Sequence, residues 1–230
     1  MPDKNNWTAT ALETITRTKH LLSNISIKVR TQQFKIFLKL FSPKACDKIL
    51  DVGASSNETL KDSNMFERLY PFPEKLTAVT IEDIRILKKL YPKIKIIKIT
   101  PNKPLPFKKN EFDIVTSWAT LEHVGNAEKQ KFFMRELLRV GKKNFITTPY
   151  KYCFYEPHSE VFFIHWLPDK WFRKLLNILG KKFWAKEQNL RLVGIKEVKN
   201  LISDRDLKVK LFFTAGFLPT HLIIYRNNNI

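Results

Sequence analysis

The sequence predicts an α/β domain on a mostly parallel sheet, entered through a helical extension. Three observations carry that expectation. Short apolar runs alternate with longer helical ones across the middle of the chain, which implies crossover connections between strands. The runs KILDVG (48–53), LTAVTI (76–81), IKIIKI (94–99), FDIVTS (112–117) and NFITT (144–148) have the near-continuous apolar content of strands covered on both faces. The tail LKVKLFFTAGFLPTHLIIYRN places strand-like runs at 207–213 and 221–226 about a connection at 215–219. That connection is too short for a crossover helix, so these two strands should be antiparallel.

Taken in order, residues 9–42 read as helical. In TQQFKIFLKLF, Phe34, Phe37, Leu38 and Phe41 recur at i, i+3, i+4 and i+7, which gathers four large side chains on one face; Pro43 ends the run. Residues 1–44 are therefore expected as a helical extension and 45–230 as the main domain. Between the fourth and fifth strands, NAEKQKFFMRELLRV sets Phe133, Leu137 and Val140 on one face, with Asn126 placed to cap the helix. In LPDKWFRKLLNILG, Pro168 opens a helix and Gly180 ends it. The segment 150–191 that contains it holds three of the five tryptophans and two of the five histidines. Its long, irregular, aromatic opening reads as a lid more readily than as an idle connection.

Composition narrows the class. A chain of 230 residues with 43% apolar and 13% aromatic content can fill a core and is not disordered. Two cysteines, Cys46 and Cys153, exclude a disulfide framework and a CxxC zinc site. No run approaches a membrane span, and the N-terminus lacks the apolar core of a secretory signal, so a cytoplasmic setting is expected. The 41 Lys and Arg against 22 Asp and Glu give +19. The lysines are dispersed, with no block of five basic residues, which favours solvated charge over a nucleic-acid groove and leaves peripheral contact with an anionic membrane open.

The nonapeptide ILDVGASSN is the most informative stretch. A strand runs into Asp51, Val52 and Gly53; the glycine lets the chain turn off the strand and lets a ligand approach the backbone of Gly53, Ala54 and Ser55. A carboxylate two residues before that glycine suits a cationic or hydroxyl-bearing ligand better than a pyrophosphate. The second strand ends in Glu82 and Asp83, where a carboxylate can hold ribose hydroxyls, and Glu82 is the favoured one. Ser117 and Trp118 end the fourth strand, at the rim where open α/β sheets bind ligands.

With LDVGASSN, LPFKKNEFDIVTSWATLEHV, the strand ending ITTP and the antiparallel tail in view, the chain resembles the class I S-adenosylmethionine-dependent methyltransferases over roughly residues 45–226. The segment TTPYKYCFYEPHSEVFFIHWLP is similar to a TTP…ExH…HWLP signature of a bacterial subgroup. The resemblance implies a Rossmann-like seven-stranded sheet of order 3-2-1-4-5-7-6 with strand 7 antiparallel, and S-adenosyl-L-methionine as cofactor. It also implies methyl transfer, and the aromatic, titratable lid points to a hydroxyl or amine of a small-molecule or lipid/glycan-linked acceptor. Asp51, Gly53, Ala54, Ser55, Glu82, Ser117 and Trp118 are the cofactor candidates. The family's Asp before the LPF turn, which contacts adenine, is absent from ITPNKPLPF, so Asn102 or a backbone carbonyl would have to serve there. The family's glycines are Ser55 and Asn57 here.

Catalysis of a hydroxyl acceptor wants a base that titrates near neutrality. His123 in LEHV and Glu156 and His158 on the lid are the candidates. The spacing of Glu156, His158 and His165 matches no ligand pattern such as HExxH, so no metal is expected. A nicotinamide dehydrogenase would need a GxGxxG string, which six glycines do not supply. An RNA methyltransferase and a catalytically inactive cofactor-binding module on the same fold are the alternatives.

Overall fold

The computed structural model describes residues 5–57, 62–202 and 204–227, with side chains described from residue 23 onward. Strands β1 (Ile49–Val52), β2 (Leu76–Thr80), β3 (Lys95–Lys98), β4 (Phe112–Trp118) and β5 (Gly141–Pro149) are parallel neighbours in the order β3-β2-β1-β4-β5. A two-stranded hairpin, β6 (Tyr155–Glu156) and β7 (Val161–Phe162), lies outside the main sheet. Strands β8 (Lys208–Thr214) and β9 (Leu218–Arg226) complete it, with β9 antiparallel between β5 and β8. This is the expected 3-2-1-4-5-7-6 topology, its last two strands being β8 and β9.

The part of helix α1 (Asn5–Phe41) from Val29 to Phe41 covers one face of the sheet together with α2 (Met65–Leu69) and α3 (Ile84–Leu90). The C-terminal half of the helix is part of the core. Phe37 is fully buried, with its ring 5.5 Å from Phe145, 5.2 Å from Phe66 and 6.4 Å from Trp118. The i, i+3 and i+7 spacing of Phe34, Phe37 and Phe41 thus finds a sheet to cover. Helices α4 (Ala127–Val140) and α6 (Ile195–Leu201) bury Met134, Leu137, Val140 and Val198 on the other face. Asn126 caps α4 by accepting from Lys129 N–H at 3.0 Å.

The lid has a small core of its own. Helix α5 (Asp169–Ile178) follows Pro168, and its Phe172 and Leu176 pack with Val161, Leu190 and Leu192. Gly180, with φ +74°, closes the helix as Lys181 N–H reaches the Leu176 carbonyl at 2.8 Å. The tail's turn is tighter than expected: residues 215–217 connect the strands, with Ala215 and Gly216 at φ 54° and 82°, and Pro219 lies within β9. A register shift between Phe212 and Phe213 accommodates that proline, whose missing N–H cannot serve a regular ladder.

Candidate active site

The strand order reverses between β1 and β4, and ligands bind such sheets in the crevice beyond the carboxyl ends at that point. A cleft of about 700 Å³ opens there. Its walls include Asp51, Gly53, Ala54, Ser55 and Glu82 from the β1 and β2 ends, Trp118, Ala119 and His123 from the β4 end, and His158 and Trp184 from the lid.

Sheet register places Asp51 beside Thr116, whose hydroxyl donates to Asp51 Oδ1 at 2.6 Å. Asp51 is only 3% exposed. Burial pushes its pKa up to about 6, while Thr116, Glu67 and the Arg30 charge work in the opposite direction. Gly53 turns the chain with φ +117°, and its backbone is closed in from behind by Thr120: a Cβ there would lie 2.1 Å from Thr120 Oγ1. Ser55 is braced by Asn64, which accepts from Ser55 N–H at 2.9 Å and donates to its carbonyl at 2.7 Å. Glu82 reaches back across the cleft floor to this loop, accepting from Ser56 N–H and from the hydroxyls of Ser55 and Ser56. Asp83 is spent as the cap of α3, accepting from Arg85 N–H at 2.9 Å. The division of labour between the two carboxylates follows from their places at the strand end and the helix start.

Trp118 does two things. Its ring stacks on Phe66 at 5.5 Å and packs 5.1 Å from Phe145, yet it lines the cleft, and its shielded Nε1 finds no hydrogen-bond partner among the described residues.

The lid brings His158 to His123, Nε2 to Nε2 at 3.2 Å. Glu156 is fully buried beneath them and is not part of the cleft wall. It accepts from His158 Nδ1 at 2.7 Å, from the N–H groups of His158 and Ser159, and from the Ser159 hydroxyl. Burial alone would raise its pKa, but those bonds hold it down at about 2. Glu156 is therefore a positioning residue for His158, not a group that can reach an acceptor. His165 is buried and tied to the Cys153 carbonyl at 2.8 Å, away from the cleft.

Two other candidates fall outside the cleft wall. Ser117 is fully buried and donates to the Val52 carbonyl at 2.8 Å, because alternation along β4 turns it into the sheet. Asn102 is exposed in a left-handed turn, φ 58°, and does not face the cleft.

The site also uses residues the sequence reading passed over. Arg30 reaches in from α1; its Nη1 is shielded from solvent and has no hydrogen-bond partner among the described residues. Burial lowers its pKa, against the pull of Glu122, Asp62 and Asp51. The signal was present: Arg30, Phe34, Phe37 and Phe41 follow i, i+4, i+7 and i+11, so a charge sits on the apolar stripe. Asp62 accepts from the Ser26 hydroxyl and ties the same helix to the cleft rim. Phe183, Trp184 and Asn189, from the end of the lid, gave no local motif.

These groups suit a ligand with a charged amino acid end and a ribose. Asp51 presents a carboxylate to an ammonium or sulfonium, the unpartnered Arg30 Nη1 suits a carboxylate, and Glu82 suits vicinal hydroxyls. Residues 50–145 match the family model described as a methyltransferase domain. No curated protein matches the chain by sequence. Among solved structures, a SAM-dependent methyltransferase from Methanosarcina mazei is 17% identical, with a TM-score of 0.53 over 84% of this chain and 96% of its own. PH0226 from Pyrococcus horikoshii is 16% identical, with a TM-score of 0.54 over 87% and 91%. Magnesium protoporphyrin IX methyltransferase from Synechocystis, with bound SAH, is 10% identical, with a TM-score of 0.50 over 88% and 83%.

Proposed function

We propose that this chain, a class I S-adenosylmethionine-dependent methyltransferase by its domain match and its fold, methylates a hydroxyl or amine on a small-molecule or lipid/glycan-linked acceptor. The observation that carries the reading is a single cleft in which the Gly53 loop and the His123–His158 pair share a wall. When bound, the cofactor supplies an activated methyl group on its sulfonium. The chain's own residues then have to hold, align and shield. Asp51 and Arg30 would grip the amino acid end, Glu82 the ribose, and Trp118 would offer its ring and Nε1. Phe183 and Trp184 would exclude water from the transfer path. The acceptor atom would gain that methyl group and give up a proton. Calorimetric titration with S-adenosylmethionine tests the cofactor part: saturable one-to-one binding is expected, and no binding at millimolar ligand would sink it.

A patch on the lid favours a lipid-linked acceptor among those classes. Phe154, Phe162, Phe163 and Trp166 are each at least 39% exposed, and successive rings lie within 6.5 Å of one another. Exposed Lys170, Lys174 and Lys182 follow along the same segment. Aromatic rings beside lysines complement an anionic interface. Among the described residues no helix is long and apolar enough to cross a membrane, so this contact would be peripheral. The chain should sediment with anionic phospholipid vesicles, and the triple variant Phe162→Ser, Phe163→Ser, Trp166→Ser should bind them at least about tenfold more weakly. Equal sedimentation of the two would remove the lipid-surface reading.

A further inference from the structure

We propose that Glu122, His123 and His158 form a binding site for a divalent transition-metal ion of the zinc class, open toward the cleft. Only the use of the ion, not its binding, rests on the methyltransferase reading.

Hydrogen bonding places the protons on both rings. His158 Nδ1 faces Glu156 Oε1 at 2.7 Å, and His123 Nδ1 faces the Asn189 carbonyl oxygen at 2.8 Å. An ionised carboxylate and a carbonyl can only accept, so each Nδ1 carries its hydrogen. With a hydrogen on each Nδ1, the two Nε2 atoms face one another at 3.2 Å, close enough for a proton or a metal ion to be held between them. A cation belongs between them.

A third donor is already aimed there. Glu122 is fully buried on the turn after β4. Its Oε2 accepts from the Thr148 hydroxyl at 3.0 Å, while Oε1 finds no hydrogen-bond partner among the described residues. That oxygen lies 4.0 Å from His123 Nε2, and the three ligand atoms all fall within 4.8 Å of one another. Ligands about 2.0–2.1 Å from a tetrahedral ion stand roughly 3.4 Å apart, so the histidines are nearly in place and the carboxylate must close by about 1 Å. Hydrogen bonds from the far nitrogens to a carboxylate and a backbone carbonyl are the arrangement that orients metal-bound imidazoles. Two imidazoles and one carboxylate suit zinc, iron or cobalt better than calcium or magnesium.

Both histidines line the cleft, so the remaining coordination positions face the acceptor. An acceptor hydroxyl held there would give its proton to solvent near neutral pH, and its oxygen would then take the methyl group. The absence of a recognised sequence pattern has a simple cause: Glu122 and His123 come from a strand-end turn, and His158 comes from a lid 35 residues later.

The full chain, stripped with chelator, would be titrated with Zn²⁺ by calorimetry and with Co²⁺ by visible absorption. One-to-one binding below about 10 μM and a d–d band of a low-coordinate nitrogen/oxygen site are expected. The double variant His123→Ala, His158→Ala should lose affinity at least about a hundredfold with unchanged circular dichroism, and Glu156→Gln about tenfold with a lowered thermal midpoint, because its buried amide cannot accept every hydrogen bond the carboxylate does. No metal uptake by the wild-type chain would mean that a shared proton occupies the place, and would overturn the proposal. So would uptake that the double variant retains. S-adenosylmethionine titration of the same stripped protein separates the two readings: metal without cofactor binding would sink the proposed function and leave this site standing, and the reverse would sink this site alone.

Discussion

Gly53→Ala should abolish S-adenosylmethionine binding and also cost stability. Two separate effects meet at this position. The backbone sits at φ +117°, which L-residues rarely adopt, and an added Cβ would lie 2.1 Å from Thr120 Oγ1, 2.8 Å from its Cγ2 and 2.9 Å from its Cβ. Strain and overpacking of this kind cost about 2–4 kcal/mol, or roughly 4–16 °C of midpoint in a chain of this size. Sequence reasoning alone would expect a larger residue here to block the ligand and leave the fold intact. Thr120 changes that expectation, because the first casualty is the packing of the β1 loop against the β4 turn. The double variant Gly53→Ala, Thr120→Ala should recover part of the lost stability, since it removes Thr120 Oγ1 and Cγ2 and leaves the contact with Cβ at 2.9 Å and the strained φ. It should not recover binding, because the loop no longer presents its amides as before. Calorimetry on both variants, beside their thermal midpoints, checks this. Wild-type cofactor affinity in Gly53→Ala would remove the loop from the binding site.

The second large effect is the pH dependence set by Asp51. Burial raises its pKa to about 6, with Thr116 on β4, Glu67 on α2 and the Arg30 charge on α1 opposing the shift. A cationic ligand needs the carboxylate ionised, so affinity should climb by up to about tenfold per pH unit below 6 and level off above it. Asp51→Asn should flatten that profile and weaken binding at pH 7 by roughly 10–150-fold, the worth of a buried charged hydrogen bond. Stability of the ligand-free chain runs the other way. An acid whose folded pKa exceeds its unfolded value contributes fully below the unfolded pKa, near 3.8, and that contribution is lost as pH rises through about 6. The loss is of order 3 kcal/mol. Asp51→Asn should therefore gain stability relative to wild type as pH rises across that window, measured as the difference between their urea midpoints. A constant difference across roughly pH 4 to 7 would show that Asp51 does not titrate there.

Much of the site was legible because its signals are local. Asp51 and Gly53 are two residues apart on a strand end, Glu82 follows a second strand, and His123 and His158 stand out as rare titratable groups near strand ends. The antiparallel tail was legible from the brevity of its connection. The roles of Ser117, Asn102 and Glu156 were not. Whether Ser117 faces a ligand depends on which way the pleat of β4 turns it, and the strand's apolar run, buried on both faces, carries no alternation to say so. Asn102 stands at a suitable sequence distance, but it sits exposed in a left-handed turn and is not among the residues that line the cleft. Glu156 lies two residues from His158 and becomes its support because a tight turn folds both Ser159 and His158 back onto one carboxylate.

What the sequence determined by itself is the order of strands and helices, the amphipathic face of α1 and the residues that flank the first strand. Periodicity and turn chemistry act between near neighbours in the chain, so they are written in it directly. Only the tertiary structure decided that Arg30 enters the cleft, that Thr120 closes the back of Gly53, and that Glu122 meets two histidines drawn from different segments. Contacts of this kind join residues 35 to 68 positions apart and bring separate elements to one sheet edge. Packing of the whole domain selects them, with no short-range pattern to announce them.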